Sequence, residues 1–136
     1  MRARLTVLSL VLLLNGCQCR IPVSVIGSLE DGITFALREG RDITYVGVTM
    51  RDEAGQWEEI WRIDGEDKID AIKYGEATSR LRTTIAAKEL RKNQLYTFYI
   101  EDDDFWGPCV GSVTFLVIED GAVEVCETDQ CIRKYR

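Results

Sequence analysis

The sequence predicts an all-β protein, a sandwich or barrel of about seven to nine short antiparallel strands, and three observations carry that expectation. Apolar and polar residues alternate with period two through much of the chain, as in Ile33-Thr34-Phe35-Ala36-Leu37. Asp-Gly steps at Asp31-Gly32, Asp64-Gly65 and Asp120-Gly121 punctuate these runs, and such a step between apolar stretches favours a hairpin because the turn needs positive φ. The one stretch that could form a helical turn, residues 86–90, has no caps and is too short to stand as a helix.

Each element follows from these signals in order. Residues 23–26 form a first strand that leads into the turn Glu30-Asp31-Gly32, and 33–37 form a second with Ile33, Phe35 and Leu37 on one face. Arg41-Asp42 precedes a strand at 43–50, where Val46, Val48 and Met50 line an apolar face and Tyr45 gives the other some bulk, as expected of a central strand. A turn at 52–55 leads to 57–63, where Trp57, Glu59, Trp61 and Ile63 share a face, so both tryptophans are expected in the core. Beyond the Asp64-Gly65 turn a short strand spans 68–74, the loop 75–79 follows, and 81–85 is the next strand. Strands at 96–100 and 113–118 are joined by a loop at 101–111, and a hairpin turn at 119–121 leads to a last strand at 122–126.

One local pattern sharpens the fold class. Leu90 stands six residues before Tyr96, which opens an alternating run, and this resembles the tyrosine corner of immunoglobulin-like and fibronectin type III sandwiches. The resemblance implies an immunoglobulin/fibronectin type III-like β-sandwich in which the Tyr96 hydroxyl ties down the connection between sheets.

The start of the chain addresses a compartment. Met1-Arg2-Ala3-Arg4 is basic, residues 5–14 are Leu or Val except for Thr6 and Ser9, and Gly16 precedes Cys17. A membrane-spanning helix needs about 20 apolar residues, twice this run, so the segment reads as a signal peptide. Leu14-Asn15-Gly16-Cys17 resembles the lipobox of bacterial lipoproteins, which implies cleavage before Cys17 and lipidation of its thiol. Asn15 departs from the commoner small or hydroxyl residue, and Gln18 differs from the Asp that resembles an inner-membrane retention signal, so the expected location is the outer membrane, facing the periplasm. The expected organisation is then a cleaved signal peptide at 1–16, a lipidated N-terminus and short tether at 17–22, and a single β-sandwich domain at 23–136.

Cleavage removes Arg2 and Arg4 from 17 basic side chains, leaving 15 against 23 acidic ones, a formal charge of 15 − 23 = −8. Such a surface disfavours nucleic acid and anionic lipid and favours a basic partner. With Cys17 lipidated, Cys19, Cys109, Cys126 and Cys131 remain, an even number that in an oxidising compartment predicts two disulfides. If Asp120-Gly121 is a two-residue loop, Glu119 faces Ala122, Cys131 falls opposite Val110 and Cys126 opposite Phe115. That register points to Cys109 with Cys131 and leaves Cys19 for Cys126; a small loop closed by Cys126 and Cys131 is the alternative.

Catalytic signatures are missing from the sequence. There is no histidine, no GxSxG, no Gly-rich phosphate loop, no HExxH and no cofactor fingerprint, so neither an enzyme nor a cofactor is expected. Glu58 and Glu59 are adjacent on a strand and point to opposite faces. The densest feature is Glu101-Asp102-Asp103-Asp104 beside Phe105 and Trp106, and its spacing does not match a calcium loop. Carboxylates around large aromatic side chains combine charge steering with hot-spot area, which makes Asp102, Asp103, Asp104, Phe105 and Trp106 the candidate partner-binding residues.

Taken together, the Cys17 lipobox, DGITFAL at 31–37, ITYVGV at 43–48, WRI at 61–63, IKYG at 72–75, LRKNQLYTFYI at 90–100 and DGAVEVC at 120–126 resemble the small enterobacterial lipoproteins grouped as type VI secretion immunity periplasmic lipoproteins. The resemblance implies a non-catalytic binding protein that neutralises a sibling's effector toxin in the periplasm, and it offers no catalytic residue. The alternative is a structural or accessory lipoprotein that binds another envelope component.

Overall fold

The alternation in the sequence is realised in strands longer than it predicts. A computed structural model describes residues 19–104 and 107–127. Its strands are β1 (Val23–Ser28), β2 (Gly32–Arg51), β3 (Trp57–Lys73), β4 (Leu81–Ile85), β5 (Gln94–Asp104), β6 (Gly107–Val117) and β7 (Val123–Val125). All are antiparallel in one sheet of order β4-β3-β2-β5-β6-β7, with β1 paired to β2. The all-β expectation therefore holds, and the described residues contain no helix.

Two predicted breaks are bends within strands. Residues 33–37 and 43–50 are two ends of β2, separated by a register shift between Ala36 and Arg41. Asp64-Gly65 is likewise no hairpin turn but an interior point of β3. Gly65 has φ 150°, and a Cβ there would lie 2.2 Å from the Arg80 carbonyl oxygen, so glycine is required by the close approach of the chain entering β4.

The tryptophan expectation is half corrected. Trp61 is fully buried, whereas Trp57 is 52% exposed. Val48 faces Trp61 and Thr49 faces Glu59, which leaves Ile60 as an extra residue, and Ile60 and Trp61 are both buried. That bulge shifts the alternation by one, so Trp57 and Glu59 before it lie on the face opposite Trp61 and Ile63 after it.

Bending folds β2 over its neighbours. Phe35 pairs in the sheet with Val25 and Ile72, while Phe98 pairs with Val48 and Val113. Yet the Phe35 and Phe98 rings are stacked at 3.9 Å, and Phe115 lies 5.6 Å from Phe35 and 5.5 Å from Tyr96. The first half of β2 thus lies across β5 and β6, and these aromatics form the centre of the main core with Ile43, Val46, Ile63 and Ile100. Burying each such ring contributes about 1.5–3 kcal/mol relative to exposure. The Tyr96 hydroxyl accepts the Arg91 N–H at 2.6 Å, which fastens the segment entering β5.

The N-terminal segment is a strap along β6. The Ile21 N–H donates to the Val110 carbonyl at 2.9 Å, and the Leu29 N–H donates to the Gly121 carbonyl at 2.9 Å, with bridges at Arg20–Val110 and Ser28–Ala122. Cys19 is disulfide-bonded to Cys109 with a Cα separation of 4.7 Å. Both pairings expected from the hairpin register, Cys109 with Cys131 and Cys19 with Cys126, are therefore wrong. Two things defeat them: the strap already occupies the flank of β6 at Cys109, and the β6–β7 register pairs Phe115 with Val125 rather than Cys126. The turn is one residue longer than expected, closed by Ile118 N–H on the Ala122 carbonyl and by Gly121 N–H on the Ile118 carbonyl, with Gly121 at φ 88°. Cys126 is also disulfide-bonded, and Cys17 and Cys131 lie outside the described residues.

Candidate functional site

The acidic candidate region is an extension of the sheet rather than a loop. β5 and β6 stay paired to its end, through Asp102–Cys109, Asp103–Pro108 and Asp104–Gly107. Strand alternation then sends Asp102 and Asp103 to opposite faces. Asp102 points inward, is 6% exposed, accepts the Cys109 N–H at 3.0 Å and forms an ion pair with Arg41 at 2.9 Å. It is a structural brace between the arm and the bend of β2, which corrects its assignment as a partner-facing residue. Asp103 is exposed. Asp104 is placed by its backbone alone, and Phe105 and Trp106 lie outside the described residues, as does the lipidation candidate Cys17.

A charged cluster that the sequence reading missed occupies the outer face of β2, β3 and β4. Arg62 donates to both oxygens of Asp64, at 2.7 and 2.9 Å, and lies 3.6 Å from Glu59 and 4.7 Å from the Tyr45 ring centre. The Tyr45 hydroxyl donates to Glu59 at 2.6 Å, and the Thr84 hydroxyl donates to Asp64 at 2.6 Å. Hydrogen bonding from Arg62, then from Thr84, holds the Asp64 carboxyl below its usual range, while the bond to Asp64 raises the Arg62 guanidinium. Burial first, then the bond to Glu59, pushes the Tyr45 hydroxyl upward. These shifts stabilise the protonation states each group already has near neutrality, so the cluster acts as a clamp across three strands. Its one sequence signal is the spacing of Arg62 and Asp64, which places both on one face of β3. Glu58 points to the other face, as expected, and pairs with Lys88.

Two grooves bracket the sheet. The larger, about 840 Å³, lies beside the strap and is lined by Arg20, Pro22, Tyr99, Glu101, Val110 and Ser112. Tyr99 and Val110 are among the few large apolar side chains left exposed there. The second, about 460 Å³, opens between the β1–β2 turn and residues 86–90. Its wall includes Tyr74, whose hydroxyl donates to the Lys88 carbonyl at 2.6 Å and whose ring packs against Trp61 at 5.1 Å. Burial pushes the Tyr74 hydroxyl upward. Among the described residues no group of three or more Cys, Asp or Glu side chains is arranged to hold a metal ion.

No protein-family model matches this chain. No curated protein and no solved structure matches it either.

Proposed function

We propose that this protein is a periplasm-facing lipoprotein, anchored to the outer membrane through Cys17, that acts as a non-catalytic binding protein and neutralises a type VI secretion effector with a basic surface. The observation that carries the reading is the order of basic start, short apolar run, Gly16 and Cys17, followed two residues later by a cysteine in a disulfide. Disulfides persist in oxidising compartments, so the Cys19–Cys109 bond agrees with export. The formal charge of 15 − 23 = −8 on residues 17–136 supports a basic partner. For the fold we propose an immunoglobulin/fibronectin type III-like sandwich, supported by the Phe35–Phe98 stacking and by the Tyr96 hydroxyl bond to Arg91.

The test begins with deletion of the gene together with any adjacent effector gene. That effector is then expressed in the periplasm with and without this lipoprotein. The reading expects toxicity that the lipoprotein suppresses, and suppression that is lost in Cys17→Ser. Undiminished toxicity rejects immunity and favours an envelope-accessory role, in which the protein binds another component of the cell envelope.

A further inference from the structure

The disulfide decides which end of the sheet faces away from an anchored N-terminus. Cys17 stands two residues before Cys19, a reach of about 7 Å, and Cys19 is fixed to Cys109. From there the chain runs extended to Leu29 and is held at both ends of β6. Ten residues at about 3.3 Å each separate these ends by roughly 30 Å. The larger groove lies at the anchored end, beside Cys19. The smaller one opens at the far end, where it meets whatever approaches from the periplasm.

We propose that this far groove docks a basic segment of a partner protein, with one apolar side chain of the partner seated between Leu29 and Leu90. The proposal rests on the anchoring and partner-binding reading above and gives it a location. The groove has an apolar floor of buried Ile33 and Leu90 between half-buried Leu29 and Tyr74. The segments that form it carry the carboxylates of Glu30, Asp31, Glu76 and Glu89. Against these four stand Lys73, Lys88 and Arg91, and Lys88 is already committed to Glu58, which leaves four carboxylates to two free cations. An acidic occupant, including a second copy of this acidic chain, is repelled, and a cationic one is attracted. Tyr74 is fixed before any partner arrives, by its bond to the Lys88 carbonyl and its contact with Trp61, so little ordering cost remains on this wall.

The probe is a heptapeptide of alternating lysine and leucine, with a glutamate and leucine counterpart as control, added to the lipidated protein in nanodiscs while backbone amide resonances are followed. The lysine peptide is expected to shift the amides of Leu29, Ile33 and Ala87, and the glutamate peptide to leave them unmoved. The double variant Glu76→Lys with Glu89→Lys should weaken the lysine peptide at least about tenfold, and the Gln pair should weaken it by less. Glu101→Lys with Asp103→Lys at the anchored end should leave it within about twofold. Equal binding of both peptides, no binding of the lysine peptide, or shifts confined to Tyr99 and Val110 would overturn the proposal.

The two readings fail separately. If an effector is neutralised equally well by the Lys double variant, the groove is not the contact and immunity stands. If the lysine peptide docks as expected and no effector is neutralised, the groove stands and immunity does not.

Discussion

Replacing Asp102 with alanine removes an anion that has two partners at once, the Arg41 guanidinium and the Cys109 N–H. Both are left short of a bond near the core, and since Arg41 retains partial solvent access the expected loss is about 1–3 kcal/mol, read from a denaturant midpoint. Asp103→Ala, one residue on and exposed, should stay within about 0.5 kcal/mol. The contrast matters for the candidate site: charge reversal that includes Asp102 disturbs the arm itself, so a binding test reverses the exposed Asp103 and leaves Asp102 in place. Composition showed that these residues were acidic. It could not show which one pointed inward, because that depends on the strand continuing through a stretch that reads as a polar loop. At high pH the tyrosines set a second residue-level test. Tyr45, Tyr74 and Tyr96 are all raised, chiefly by burial, so the folded state favours their neutral forms. The stability they contribute is whole below the unfolded value of about 10. It falls as pH rises through the folded values. Tyrosinate absorbance from these three should therefore appear together with unfolding; ionisation of all three at pH 10 in a folded chain would contradict it.

Among the elements, the short strands with unambiguous alternation were the legible ones. The run at 81–85 coincides with β4, and a strand beside β6 at the C-terminal end was expected and is β7. What period two could not reveal was a departure from period two. Ile60 adds a single residue to β3, and every inference about facing on its N-terminal side inverts, which is why Trp57 reads as core and stands in solvent. Asp-Gly was equally ambiguous: at Asp120-Gly121 it marks a turn, but at Asp64-Gly65 the same dipeptide serves an approach of β4 that no local rule encodes. Gly65→Ala tests that account. Its methyl would meet the Arg80 carbonyl oxygen at 2.2 Å, which backbone movement must relieve. The expected cost is about 1–3 kcal/mol. Hydrogen exchange should quicken first in β4, whose pairing with β3 spans four residue pairs. A variant as stable as the parent would mean that glycine is not required there.

For the molecule as a whole, the Cys19–Cys109 bond joins segments 90 residues apart, and under the proposed lipidation of Cys17 it also sets which end of the sheet lies near the anchor. Without it the strap is held to the start of β6 by a few backbone hydrogen bonds around Val110 and by Ile21, which is 3% exposed and seated where a Cβ on Gly111 would lie 2.5 Å from its carbonyl oxygen. Closing so long a loop removes much of the unfolded chain's freedom. The double variant Cys19→Ser with Cys109→Ser should accordingly lose about 2–5 kcal/mol. How that loss is distributed is the more telling measurement. The far end of the strap keeps its Leu29 bond to Gly121 and its pairing through β1, whereas the near end keeps little. Amide exchange at Ile21 and Val110 should therefore rise sharply while Phe35 and Phe98, stacked in the core, remain protected to nearly the global limit. If the exchange rates of all four rose together, the strap would be part of the cooperative core rather than a clasp upon it, and the disulfide would not be what orients the sheet on the proposed anchor.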